Sequence, residues 1–276
     1  MRTPLRRLDA GGFHTGPGGA LVAVLALLAT FVLVDGPARG EVPEGEPTFS
    51  TPLEIDNTYF PVDRGAIKVY LGRDEGAPVT IVVTHLEETR DFSYGDGVVR
   101  CRVVQEHTFE RGRLVEEEVS YYAQADDGSV WGFGQTEKDD DDDDADDNDD
   151  DDVDDDEDDD EPGGWIVGAV APTDPVDTVS VSAPALVMPA FPARGDVFFN
   201  EDFGPGQTQL VTIRSTSANA RIRGERFKQC VRVRETVPGE SGGETKWYAP
   251  GVGFVRERGR GTRVRLNAST LQGGRR

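Results

Sequence analysis

The chain has 276 residues and a net charge of −23, but 20 of its 52 acidic residues lie between Asp139 and Glu161, and the remaining 32 face 29 Lys and Arg. Global acidity therefore carries no information about partners, whereas the segment from Arg214 onward is basic, with 15 Lys or Arg against 5 Glu. Two cysteines and three histidines exclude a metal centre built from three or four Cys or His ligands unless carboxylates join it.

Residues 1–40 open with Arg2, Arg6 and Arg7, continue through the apolar stretch Ala20–Val34 and end on the small residues Ala38 and Gly40. This order is that of a secretory signal, and it predicts an exported mature protein, periplasmic or extracellular. The apolar stretch is shorter than the ~20 residues of a spanning helix, so contact with a membrane is expected only if an uncleaved leader acts as a tilted anchor. Residues 41–54, rich in Pro, Gly and Glu, read as an extended lead-in.

A β domain is expected over 55–267, followed by a flexible tail at 268–276. Its first strand is Ala66–Leu71, where Ile67, Val69 and Leu71 alternate with Lys68 and Tyr70 and so place one set inward and the other outward. Pro78–Thr84 is more uniformly apolar, as in a strand covered on both faces. Val98–Phe109 and Arg113–Ala123 flank Glu110-Arg111-Gly112, the spacing of a tight hairpin, and Val130–Phe133 follows the turn at Asp126–Ser129.

Residues 139–161 cannot pack: neighbouring carboxylates repel, and Ala145 and Val153 are the only apolar side chains there. The run predicts a disordered acidic insertion. Beyond it, Trp165–Val167 resumes the pattern, Val176–Ala185 is rich in Ser, Thr and Val, and the prolines of Leu186–Pro192 keep that segment extended. Strands are predicted over Asp196–Glu201, Gln207–Ser215, Ala218–Arg223, Arg226–Glu235, Thr245–Ala249, Val252–Glu257 and Arg263–Leu266. The fold class is mainly β, a single curved antiparallel sheet or incomplete barrel with the acidic loop between strands.

Catalytic motifs are absent: there is no Gly-x-Ser-x-Gly elbow, phosphate loop or Cys-x-x-Cys. His85 shares parity with Val79, Ile81 and Val83, and His107 with Cys101 and Val103, so both read as satisfied structural histidines rather than ligands or bases. Cys101 and Cys230 sit in strand-like runs and fit either a disulfide on neighbouring strands or two buried free thiols. Within the acidic run, Asp149, Asp150, Asp151, Asp152, Asp154, Asp155 and Asp156 are candidates for weak, salt-sensitive Ca²⁺ binding, since the run lacks the glycine and ligand spacing of a specific loop. The arginines at 221, 223, 232, 234, 256, 258, 263 and 265 alternate as on the solvent face of a sheet, and too few aromatics accompany them for nucleic-acid binding.

Several blocks carry a resemblance. They are Asp56-Asn57-Thr58-Tyr59-Phe60-Pro61, Tyr122-Ala123-Gln124 with Asp127-Gly128-Ser129-Val130-Trp131, Met188-Pro189-Ala190, and Phe227-Lys228-Gln229-Cys230 with Trp247–Val255. As a set, in this order, they resemble a family of uncharacterised secreted bacterial proteins. The resemblance implies an exported β-rich protein with no established activity, cofactor or catalytic residue. It departs from the family pattern at Ser120-Tyr121 and Gly132, and in carrying the acidic run. The expected function is that of a non-enzymatic protein binding an apolar ligand or a partner in a groove of the sheet. The alternative is a structural or cell-surface module whose acidic loop binds Ca²⁺ or basic polymers.

Overall fold

The computed structural model describes residues 42–43, 45–139, 163–201, 209–239 and 241–271, and every regular element among them is a β-strand. In chain order these are β1 (Ile67–Asp74), β2 (Ala77–Tyr94), β3 (Gly97–Glu110), β4 (Arg113–Gln124), β5 (Val130–Asp139), β6 (Gly164–Val167) and β7 (Val179–Val181). There follow β8 (Ala185–Met188), β9 (Val197–Glu201), β10 (Gln209–Ile222), β11 (Glu225–Thr236), β12 (Glu244–Ala249), β13 (Gly253–Arg258) and β14 (Arg263–Ser269).

All belong to one curved sheet that does not close into a barrel, ordered β7-β6-β5-β4-β3-β2-β1-β14-β13-β12-β11-β10-β9, with β8 paired to β5. The chain thus lays down one meander outward from β1, crosses through β8, and returns along a second meander that ends beside β1. That central seam is closed by β1–β14 pairing and by Thr270, whose N–H donates to the Ile67 carbonyl at 2.9 Å. All pairs are antiparallel except β6 with β7, which makes the sheet mixed. Local sequence explains the hairpins: Glu75-Gly76, Arg111-Gly112 and Arg223-Gly224 each place both residues at positive φ, the two-residue turn whose twist matches that of the flanking strands.

Several boundaries differ from expectation. β2 does not stop at Thr84 but runs to Tyr94, because a register shift between His85 and Thr89 lets the polar stretch Leu86–Arg90 stay in the ladder. The two segments predicted around Ser215 and Ala218 are one strand, β10, carried through three irregularities in its pairing with β11. The supposed tail begins later, since Ala268 and Ser269 pair with Val69 and Lys68, and Leu271 is buried.

The most consequential correction concerns β1. Its alternation is real, but the faces are inverted: Ile67 and Leu71 are 40% and 39% exposed, whereas Lys68 and Tyr70 are 6% and 2% exposed. The lead-in forms no strand, yet it is pinned. Phe49 packs edge-on against Phe133 at 5.3 Å, Ser50 N–H donates to Asp126, and Gln124 N–H donates to the Pro52 carbonyl. On the same side of the molecule's chain path, Arg90 of β2 makes a fork onto Asp174 at 2.6 and 2.7 Å while lying over the rings of Phe92 and Tyr121.

Residues 140–162, and with them Asp149, Asp150, Asp151, Asp152, Asp154, Asp155 and Asp156, lie outside the described residues, as do residues 1–40. The flanks of the run are nevertheless neighbours, with Gln135 opposite Trp165 and Thr136 opposite Gly164. The run is therefore a connection between adjacent strands of one sheet. Cys101 and Cys230 are both buried free thiols. The disulfide considered from the sequence needed neighbouring strands, but β3 and β11 are separated by β2, β1, β14, β13 and β12, and the two thiols belong to different core clusters.

Candidate functional site: an acid-lined cavity

The inward faces of both meanders line a cavity of about 410 Å³. Residues directly opposite on antiparallel strands share a face, so register alone fixes what the cavity sees. One cross-strand row runs Lys68, Val83, Glu106, Glu118 through β1, β2, β3 and β4. The next runs His85, Val104, Ser120, Gln135 through β2, β3, β4 and β5. From the other meander come Glu235 of β11, Lys246 and Tyr248 of β12, and Phe254 and Glu257 of β13. Phe60, Ile81, Val83 and Val187 supply apolar wall.

Four carboxyl groups thus face one space. Glu118 accepts from Ser120 Oγ at 2.6 Å and Gln135 Nε2 at 3.1 Å. Glu106, directly opposite it, receives no hydrogen bond among the described residues. Burial, reinforced by the charges of Glu118 and Glu116, pushes Glu106 up to about 8, and burial likewise raises Glu118 above the usual carboxylate range. Glu257 is pushed up to about 7, again mainly by burial, with Glu244 adding to it and Lys246 opposing. Glu235 is the exception, holding Lys246 Nζ at 2.6 Å. Burial alone would lower Lys246, but Glu235 and its neighbours outweigh it and hold the ammonium well above its ordinary value. Three acids are therefore left without a cation of their own.

At the other end of the row, Lys68 makes neither a hydrogen bond nor an ion pair among the described residues. Burial lowers it to about 8, Asp63 partly opposing. His85 beside it is lowered to about 4, first by burial and then by the Lys68 charge. At neutral pH its ring is uncharged, and Nδ1 donates to the Asp63 carbonyl at 3.1 Å. The histidine is satisfied, as its apolar parity indicated, but its place is in the cavity wall. His107 is on the opposite face, 3.0 Å from Glu117 Oε2.

One end of the cavity is capped by residues 55–62, and Asn57 holds them. Its side-chain amide donates to the Gly128 and Pro189 carbonyls at 2.9 and 3.2 Å, while its Oδ1 accepts from the N–H groups of Tyr59 and Phe60. Gln124 Oε1 accepts from Asn57 N–H, and Gly251 N–H donates to the Thr58 carbonyl. Four of the sequence blocks singled out above therefore meet at this cap. Gly253 at φ 81° lets the chain pass: a Cβ there would lie 3.3 Å from Lys68 Nζ and 3.4 Å from Pro61 Cδ.

The arginines form two further rows on the outer face: Arg232, Trp247, Arg256, Arg265 and, beside it, Arg234, Thr245, Arg258, Arg263, Arg73. Arg256 stacks over the Trp247 ring at 4.8 Å. Sequence parity placed these arginines correctly. It missed the acids because a buried carboxyl contradicts the expectation that charge faces water, and because Glu116-Glu117-Glu118 hides which of the three turns inward. The usable signal was parity with Ser120 and Tyr122. No family model, no curated protein and no solved structure matches this chain.

Proposed function

We propose that the chain is an exported, non-enzymatic binding protein that takes up an organic cation with an apolar body in the cavity of its sheet. The reading is carried by one observation, that Glu106, Glu118 and Glu257 face a single cavity whose nearest ammonium, Lys246, is already held by Glu235. Carboxyls forced to keep protons at neutral pH are stabilised by any cation that replaces those protons. The volume suits a small organic molecule, and the apolar wall suits its body. A groove for an apolar ligand was expected from the meander; the lining retains that role for the body of the ligand and adds a charged head.

The test is fluorescence titration with dansylcadaverine, an apolar ring system with a primary amine, against the same dye ending in an alcohol. The amine should bind and the alcohol should bind at least about tenfold more weakly, the difference of one charge-assisted hydrogen bond. Equal affinities, or no binding of either, would sink the proposal.

A further inference from the structure

We infer that the ligand is a zwitterion, with an anionic group seated on Lys68 and its cation on Glu106 and Glu118; this rests on the reading of the cavity given above. The argument begins with Lys68. It is 6% exposed, lines the cavity, and has no hydrogen-bond or ion-pair partner among the described residues. A buried ammonium without a partner is costly and is normally paired. The acids do not fill that role. Glu106 is two strands away, with Val83 between them in the same row.

The row therefore presents, in order, an ammonium, an isopropyl group and two carboxyls. At about 4.8 Å per strand, the Lys68 and Glu106 positions are roughly 10 Å apart and the Glu118 position roughly 14 Å from Lys68. A ligand whose cationic and anionic ends are separated by a short apolar chain satisfies all four positions at once. The neighbouring wall agrees. Ile81 and Val83 flank the path, and His85, the titratable neighbour at the Lys68 end, is uncharged at neutral pH with its Nδ1 proton held by Asp63. Tyr70 is also turned away from the ligand's anion, since its hydroxyl donates to the Phe254 carbonyl at 3.1 Å. Lys68 is left as the donor at that end.

Isothermal titration of the full chain with ω-aminooctanoate, octylamine and octanoate tests this. The amino acid should bind about tenfold or more tighter than octylamine, the size of one charge-assisted contact. Lys68→Met should abolish that advantage while leaving octylamine within about twofold of its wild-type affinity, and Lys68→Arg should keep it. Circular dichroism of both variants guards against misfolding. Octylamine binding as tightly as ω-aminooctanoate to wild type, or Lys68→Met retaining the full advantage, overturns the anion subsite and leaves the cation site standing. Binding of none of the three overturns both.

Discussion

Replacing Glu106 by Gln should change how stability depends on pH, and the structure gives both the sign and the size. The folded protein holds this carboxyl at about 8, against about 4.5 in the unfolded chain. Between those values the native state binds more protons than the unfolded state, so the group makes stability fall as pH rises from 4.5 to 8. At 1.36 kcal/mol per unit the loss is on the order of 4 kcal/mol. Gln has the same shape and no titration, and no hydrogen bond to Glu106 is lost. The variant should match wild type near pH 5 to within about 1 kcal/mol and exceed it by several kcal/mol at pH 8. His85, lowered to about 4, acts in the opposite sense between 4 and 6.5, but it is common to both proteins and cancels in the difference. Urea denaturation at pH 5, 6, 7 and 8 measures that difference. Parallel stability curves for the two proteins would refute the burial of an unpaired carboxyl.

Other consequences are equally concrete. Lys68→Met should raise the urea midpoint at pH 7 by an amount equivalent to a few kcal/mol, because it removes a buried ammonium lowered to about 8. Asp174→Asn should cost on the order of 3 kcal/mol, since the Arg90 fork would then face a neutral amide while remaining largely buried. Burial raises Asp174, but Arg90 and the Ala171 N–H outweigh it and hold the carboxyl below its usual range; its contribution is present above the unfolded value and is lost as pH falls below it. Asn57→Ala should speed amide exchange at Tyr59 and Phe60 by about tenfold or more, because both N–H groups donate to the deleted oxygen.

How much of this could be read in advance divides along physical lines. The hairpins β3–β4 and β12–β13 were legible because strand period and Gly-containing turns are local, and a local signal survives whatever the rest of the chain does. Register across distant strands is not local. Nothing near Val179 announces a parallel pairing with Trp165, and nothing in Val69 announces Ala268 as its partner. The face of β1 failed for a different reason: Ile67, Val69 and Leu71 are the more apolar set, and only a cavity lined with acids makes the Lys68 and Tyr70 side the inner one. The site was therefore hidden where function overrides the burial rule, while the frame that holds it was visible.

The central claim is that Glu106 and Glu118 are carboxyls kept protonated until a cation replaces the proton. Carbon NMR of protein labelled at the glutamate carboxyls, titrated with and without a saturating apolar amine, reads that directly. The free protein should show a carboxyl titrating near 8, assigned by its loss in Glu106→Gln, and the amine should move it down by about a unit or more. A Glu106 carboxyl that titrates near 4.5 in the free protein, or that does not move when the amine is added, would contradict the account.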